Sequence, residues 1–196
     1  AYEGAIFVTG AALQWLRDGL GMITRADEIG PLAASCAGTD GVYFVPALTG
    51  LGSPWWDSHA RGMVIGITRG TTRAHLARAT LEAIAFQTRD VVDLMCRASG
   101  APLRELRVDG GAAVIDLLLE MQADQLGVAV VRATTSESTA LGAAFAAGIG
   151  AGVWNAGDIA ANWSADRRFE PRADRRSEAD RTHAQWLRAV DRARDW

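Results

Sequence analysis

The chain has 196 residues, 49% of them hydrophobic, which is enough to bury one good-sized core, and we expect a single domain. A formal net charge of -3 and a pI near 5.6 give no long-range attraction for phosphate backbones, so nucleic acid and anionic membranes are not expected as partners. The sequence has no apolar run of about 18 residues and no signal-peptide pattern, so we expect a cytoplasmic protein without a membrane span.

The first half of the sequence predicts two helices and two strands. It opens without an initiator Met, which suggests a fragment of a longer chain, and leucines at helical spacing behind Gly10 predict the first helix. A short helix is predicted within residues 25–38. Runs of β-branched and aromatic residues predict strands within 41–48 and 61–70, and a loop rich in glycine and tryptophan separates them.

The second half predicts alternating helices and strands. From Thr72 to Gly100 apolar residues recur with a period near 3.6, which predicts one long amphipathic helix. A strand, a helix, a strand, a helix and a terminal helix are then predicted at 103–111, 112–127, 128–133, 136–152 and about 174–195. The small residues of the helix at 136–152 predict tight packing against a neighbouring backbone. The order of elements indicates an α/β domain with helices covering a mixed sheet, and in such folds ligands bind at strand ends.

A glycine pair follows the third predicted strand. Gly110 and Gly111 place backbone without side chains where the strand turns into a helix, so a flat or charged ligand can approach the main chain, and Asp109 is expected to orient the turn. On local sequence alone a tight structural turn is the more frequent explanation, and the spacing matches neither the dinucleotide fingerprint nor the Walker P-loop. A second turn, at Gly10 with Gln14 on the next helical turn, is a candidate for the other wall of a cleft.

Three stretches, 42–95, 106–112 and 137–154, carry a resemblance to a known family. With them the sequence, over about residues 3–196, resembles the C-terminal domain of the FGGY family of carbohydrate kinases. The loop Thr-Gly-Leu-Gly-Ser-Pro-Trp-Trp-Asp at 49–57 is more similar to the glycerol branch of that family than to its xylulose or gluconate branches.

The resemblance implies a ribonuclease-H-like domain, an actin-type ATPase half, with ATP held between two domains. It implies that the turn through Gly110 and Gly111 binds adenosine, and that Gly10 and Gln14 also contact the nucleotide. Ile115 stands where the family usually has an Asn that contacts the nucleotide. A helical position one turn beyond Gly111 predicts that the Ile115 side chain borders the adenosine.

The resemblance also implies an activity for the whole enzyme. It would transfer the γ-phosphoryl group of ATP to a terminal hydroxyl of glycerol, with Mg²⁺ bridging the phosphates, to give glycerol 3-phosphate and ADP. In the family the catalytic Asp and the glycerol-binding residues lie upstream of this sequence, so no catalytic residue and no metal ligand is assigned here. We therefore expect an N-terminal kinase domain as partner, a homo-oligomer, and no activity of this chain alone.

Two alternatives to this function stay open. A pentulose or gluconate kinase would use the same half with another substrate. A non-catalytic actin-like module would use it for nucleotide sensing or oligomerisation. The presence of the other half would favour a kinase, and substrate profiling would then separate the kinases.

Other chemically capable residues are expected to have structural roles. His75 and Glu82 lie seven apart on one helical face, but they open and close the family's motif His-Leu-x-x-Ala-Thr-Leu-Glu, which favours packing over acid–base chemistry. Trp55 and Trp56 are expected to anchor their loop rather than to stack on a ligand, and Asp57 to close it by hydrogen bonding. The two cysteines are expected to be buried thiols without a disulfide or a zinc site.

Overall fold

The computed structural model describes residues 2–161 and 163–196, and within them the chain forms seven α-helices and five β-strands. The helices are α1 (Gly10–Asp18), α2 (Ile29–Ala34), α3 (Arg73–Ser99), α4 (Asp116–Leu126), α5 (Ser138–Gly150), α6 (Ala156–Ala161) and α7 (Arg176–Ala193). The strands are β1 (Tyr43–Val45), β2 (Met63–Ile65), β3 (Glu105–Val108), β4 (Ala129–Ala133) and β5 (Ala165–Phe169). Short 3-10 turns span Ala26–Glu28, Gly111–Val114 and Ala173–Arg175.

The long helix α3 lies at the centre of the core. It begins after Thr72, whose backbone N–H donates to Nδ1 of His75 at 3.0 Å, and it ends at Gly100, which has a left-handed conformation (φ 68°). Leu81 packs in a cluster with residues of α1, α2 and α4, whereas Phe86 packs with residues of α7 and β1. The prediction of one long helix beyond Thr72 is confirmed.

The strands form two sheets. β1 and β2 pair antiparallel, with Phe44 opposite Val64. In the other sheet β3 pairs parallel with β4, and β4 pairs antiparallel with β5, so the strand order is β3-β4-β5. The helix α4 connects β3 to β4, as parallel neighbours require. This mixed sheet with helices packed around it confirms the predicted α/β fold.

The terminal helix α7 packs against α3 through a buried polar group and an aromatic stack. The Trp186 ring is fully buried and stacks on Phe86 with ring centroids 5.4 Å apart. The Asp90 carboxylate accepts a hydrogen bond from Nε1 of Trp186 at 2.8 Å and lies 2.7 Å from Nε2 of His183. The predicted terminal helix is therefore present, and its apolar edge packs against α3 as expected.

Several local predictions differ from the structure. β5 and α6 were not expected, because every residue of β5 except Phe169 is exposed and the strand therefore lacks an apolar alternation. The helix predicted from residue 112 begins only at Asp116, since 111–114 form a 3-10 turn and Ile115 is extended (φ -89°, ψ 96°). Both cysteines are half-buried rather than buried.

The small-residue helix α5 is exposed. None of its residues is buried, so the prediction of tight packing at 136–152 is wrong. Small side chains permit a close approach of two backbones, but they do not themselves supply a partner. Across residues 2–161 and 163–196, no helix is long and apolar enough to cross a membrane.

Candidate functional site

A cleft of about 420 Å³ lies between the start of α1 and the glycine turn that follows β3. One wall consists of Thr9, Gly10, Leu13, Gln14 and Arg17. The other wall consists of Asp109, Gly110, Gly111 and Ala112, and Ala26 completes the lining. The two glycine turns that the sequence singled out therefore meet across one cavity.

The first wall is the outward face of α1. Leu16 and Ala12 are buried in the core and hold the helix in place. Gly10, Gln14 and Arg17 stand at positions i, i+4 and i+7, which helical geometry places on one face. That face looks into the cleft, while the opposite side of the helix is packed.

The second wall is the turn between β3 and the 3-10 turn at Gly111–Val114. Gly110 has a φ of +87°, a conformation that residues with a Cβ rarely adopt, so glycine is required there. The Asp109 carboxylate accepts a hydrogen bond from the backbone N–H of Ser138 at 3.1 Å, which ties the turn to the first residue of α5. That Asp109 orients the glycine turn stays a prediction.

An arginine behind the turn holds the second wall against the sheet. Arg132 on β4 donates to the carbonyl oxygen of Ala113 at 3.2 Å and to the carboxylates of Asp116 and Asp166 at 2.7 and 2.6 Å. These three acceptors belong to the 3-10 turn, to α4 and to β5. The position of the glycine turn is therefore set by several elements at once.

Three glycines of the cleft face open space. A Cβ built on Gly10, Gly110 or Gly111 would have no protein atom within 4 Å. By contrast, a Cβ on Gly66 would collide with the carbonyl oxygen of Gly41. At Gly10 and Gly111 φ is outside the left-handed range, so neither backbone strain nor packing within the described residues demands glycine. A ligand that approaches the main chain would demand it.

The charges at the cleft are few. Arg17 and Asp109 are the charged residues among those described as lining it, and Asp109 is occupied by the N–H of Ser138. Arg17 donates from Nε and Nη2 to the two carboxylate oxygens of Asp18, at 2.7 and 2.9 Å. These hydrogen bonds hold the pKa of Asp18 below its usual value.

The structure brings four of the five predicted site residues together. Gly10, Gln14, Gly110 and Gly111 line the cleft. Ile115 does not: it is only 7% exposed and packs in the core cluster with residues of α1, α2 and α3. The prediction of a helical Ile115 beside the ligand is wrong, because the chain is extended at this residue and turns the side chain inward.

The sequence did not identify Leu13, Arg17, Ala26 or Ala112 as residues of the cleft. Arg17 could have been found, because it lies seven residues after Gly10 on the same helical face. Ala26 lies beyond α1 and reaches the cleft only through the fold, so no local pattern identifies it.

His75 and Glu82 do not form an acid–base pair. The His75 ring accepts from the N–H of Thr72 and has Nε2 at 3.3 Å from Asp40, so it caps α3. Glu82 pairs with Arg78 at 3.2 Å, and burial raises the pKa of the Glu82 carboxyl. Neither residue lines the cleft. The expected structural roles are confirmed.

The tryptophan loop anchors itself through Trp55 and Asp57. Trp55 packs against the core and lies under the guanidinium of Arg194, whereas Trp56 is 65% exposed. The Asp57 carboxylate accepts hydrogen bonds from the backbone N–H groups of Asp195, His59 and Ala60. These bonds lower the pKa of Asp57. Asp57 therefore closes the loop as expected.

No cluster of three or more His, Cys, Asp or Glu side chains that could hold a metal ion occurs in the part of the chain that the structure describes. At the cleft itself the one carboxylate is that of Asp109. The described residues therefore do not form a cage for a divalent cation.

Comparison with known proteins gives a consistent result. Residues 1–151 match the sequence model described as the FGGY family of carbohydrate kinases, C-terminal domain. A glycerol kinase of Geobacter sp. (strain M21) is 58% identical over 196 residues, which is 100% of this chain and 39% of the relative. The chain thus spans about two fifths of the length of that relative.

Solved structures resemble the fold as well. The crystal structure of Plasmodium falciparum glycerol kinase with ADP has a TM-score of 0.83 at 32% identity, and the match covers 96% of this chain and 37% of that one. The structure of xylulose kinase from Rhodospirillum rubrum has a TM-score of 0.80 at 28% identity, covering 96% and 38%.

Proposed function

Because the chain belongs to the FGGY family of carbohydrate kinases, as a C-terminal domain, we propose that its cleft binds the adenosine part of ATP and that the whole polypeptide is a glycerol kinase. The reaction would transfer the γ-phosphoryl group of ATP to a terminal hydroxyl of glycerol. The hydroxyl oxygen forms a bond to the γ-phosphorus, the bond from that phosphorus to the β–γ bridging oxygen breaks, and ADP leaves. The hydroxyl proton passes to a base outside this chain.

One observation carries the nucleotide role: the open space at Gly10, Gly110 and Gly111. A Cβ at any of the three would have no protein atom within 4 Å, and all three residues line the cleft, so the space beside them is available to a ligand. The lining suits an adenosine, since Leu13 offers an apolar surface and the Gln14 amide offers both a donor and an acceptor.

We propose that this chain contributes to the reaction by binding and orienting the nucleotide. Phosphoryl transfer depends mainly on positioning and on neutralising charge, and a nucleotide fixed along α1 would present its phosphates to the other half of the enzyme. Asp109 accepts the N–H of Ser138, and we propose a positioning role for it. We accordingly assign the base, the glycerol site and the N-terminal kinase domain to the remainder of the polypeptide.

Mg²⁺ belongs to the proposal for the whole enzyme and not to this chain. Enzymes of phosphoryl transfer commonly hold Mg²⁺ through substrate phosphates and one or two carboxylates. The described residues supply no such group of carboxylates at the cleft, so none of them is assigned as a ligand. A homo-oligomer in the cytoplasm is part of the same proposal.

A pentulose kinase is the second candidate. The similarity to the xylulose kinase of Rhodospirillum rubrum favours it, but its identity of 28% is far below the 58% to the glycerol kinase of Geobacter sp.. The half that binds ATP would serve either substrate. Turnover of glycerol, xylulose and gluconate by the full-length polypeptide separates these kinases from each other and from a non-catalytic module.

The test of the nucleotide site compares two glycine substitutions in the full-length polypeptide. Gly111→Val places a branched side chain in the cleft, and we expect it to weaken ADP binding by about tenfold or more, measured by calorimetry. Gly38→Val is the control, since its Cβ also meets no atom within 4 Å but the residue lies outside the cleft. Unchanged ADP affinity in Gly111→Val, with both variants folded, would overturn the proposed site.

A further inference from the structure

We propose, building on the nucleotide site proposed above, that the guanidinium plane of Arg17 is the surface on which the nucleobase stacks. Arg17 lines the cleft on the same face of α1 as Gly10 and Gln14. Arg17 lies seven positions after Gly10 in the helix, which corresponds to about 10 Å along the helix axis. Gly10 thus lies at one end of this wall and Arg17 at the other.

The hydrogen bonds of Arg17 occupy one edge of its guanidinium. Nε donates to Oδ1 of Asp18 at 2.7 Å, and Nη2 donates to Oδ2 at 2.9 Å, so the Nε–Nη2 edge is taken. The two faces of the plane, Nη1 and the second N–H of Nη2 remain. A guanidinium face is a favourable stacking surface for an aromatic ring.

The neighbours of Arg17 fit the same end of a nucleotide. Leu13 presents apolar surface one helical turn away, and the Gln14 amide matches the paired donor and acceptor on the edge of an adenine ring. The side chain of Arg17 is 38% exposed, so a base laid against it would remove both surfaces from water. With the base here, the ribose and phosphates would extend along α1 towards Gly10.

Two substitutions of Arg17 separate stacking from charge. Arg17→Leu removes both the plane and the charge, whereas Arg17→Lys keeps the charge and loses the plane. If the plane stacks on the base, both variants raise the Kd for ADP about two- to fivefold, as measured by calorimetry on the full-length polypeptide. Inhibition by inorganic tripolyphosphate, which has no base, stays as in the unsubstituted protein.

Arg25 provides a matched control. It makes the same two-point contact with Asp27, from Nε at 3.1 Å and from Nη2 at 2.7 Å, but does not line the cleft. Arg25→Leu and Arg25→Lys should leave both ADP binding and tripolyphosphate inhibition unchanged. A loss of ADP affinity in these variants equal to that in the Arg17 variants would overturn the stacking role.

Other results of these measurements would refute either the stacking role of Arg17 or the nucleotide site itself. Wild-type ADP affinity in Arg17→Lys, or weaker tripolyphosphate inhibition in Arg17→Leu, would show that Arg17 acts as a charge and would overturn the proposal. Normal ADP affinity in both Arg17 variants while Gly111→Val binds poorly would refute the stacking role alone. Normal affinity in Gly111→Val as well would refute the nucleotide site.

Discussion

Ile115 and Val114 are adjacent branched residues in opposite environments. Ile115 is buried, and its Cγ2 lies 3.5 Å from the position that a Cβ on Gly30 would occupy. Val114 is 61% exposed. The difference arises because the 3-10 turn ends at Val114 and the chain is extended at Ile115, so the second side chain points under the turn and joins the wall of the cleft to the core.

Ile115→Asn should destabilise the protein rather than improve nucleotide binding. The substitution removes buried apolar contacts and places an amide in an apolar cluster that offers it no hydrogen-bond partner. We expect this to lower the unfolding free energy by about 2–4 kcal/mol. Denaturant titration followed by circular dichroism measures it. Val114→Asn is the control and should change the unfolding free energy by less than about 0.5 kcal/mol. Tighter ADP binding by Ile115→Asn at unchanged stability would instead place residue 115 in the cleft.

The helices α3 and α7 are held together by one carboxylate. Asp90 on α3 is buried and bonds to both His183 and Trp186 on α7, while the Phe86 ring stacks on Trp186 beside it. A buried carboxylate is tolerated when such partners satisfy its oxygens. The terminal helix therefore depends on a polar contact at the centre of an apolar interface.

Asp90→Ala should weaken this attachment strongly. The variant leaves the buried ring nitrogens of His183 and Trp186 without an acceptor, and we expect a loss of about 3 kcal/mol in unfolding free energy. Asp93→Ala is the comparison on the same helix, because the Asp93 side chain is 44% exposed and makes a single ion pair with Arg89 at 3.5 Å. Its loss should stay below about 1 kcal/mol. Equal losses in the two variants would show that Asp90 does not hold α7.

The proposed division of labour follows from what this chain places at the cleft. Its charged lining residues in the described ranges are Arg17, paired with Asp18, and Asp109, paired with the N–H of Ser138. Arg17 cannot accept a proton, and the Asp109 carboxylate accepts the N–H of the first residue of α5. The chain also covers only 39% of a related glycerol kinase, which leaves most of the relative's length for the other functions.

The purified 196-residue chain should therefore show no glycerol 3-phosphate formation above background with ATP, Mg²⁺ and glycerol, while the full-length polypeptide is active. Its ADP affinity should be weak, with a Kd on the order of 1 mM, because one side of the nucleotide stays in water. A coupled assay and calorimetry test both points, with circular dichroism confirming that the chain is folded. Turnover by this chain, or micromolar ADP binding, would contradict the division.

The local sequence was sufficient to predict the long helix α3 and the glycine turns of the cleft. The 3.6-residue period and the flanking Thr72 and Gly100 determine α3, because a helix is fixed by contacts within a few residues. The glycine turns were likewise visible, since Gly10, Gly110 and Gly111 follow or precede regular elements. The family motifs indicated the fold and the nucleotide role, and the fold and family are confirmed.

Tertiary structure alone decided where side chains finally point. Ile115 entered the core because a 3-10 turn replaced the first helical turn, Ala26 reached the cleft from beyond α1, and the charged segment of β5 became a strand by pairing with β4. The small residues of α5 did not bring it a covering partner among the described residues. For Ala26 and for β5 the determining contact joins segments distant in sequence, and periodicity, capping and turn chemistry carry information only about neighbours along the chain.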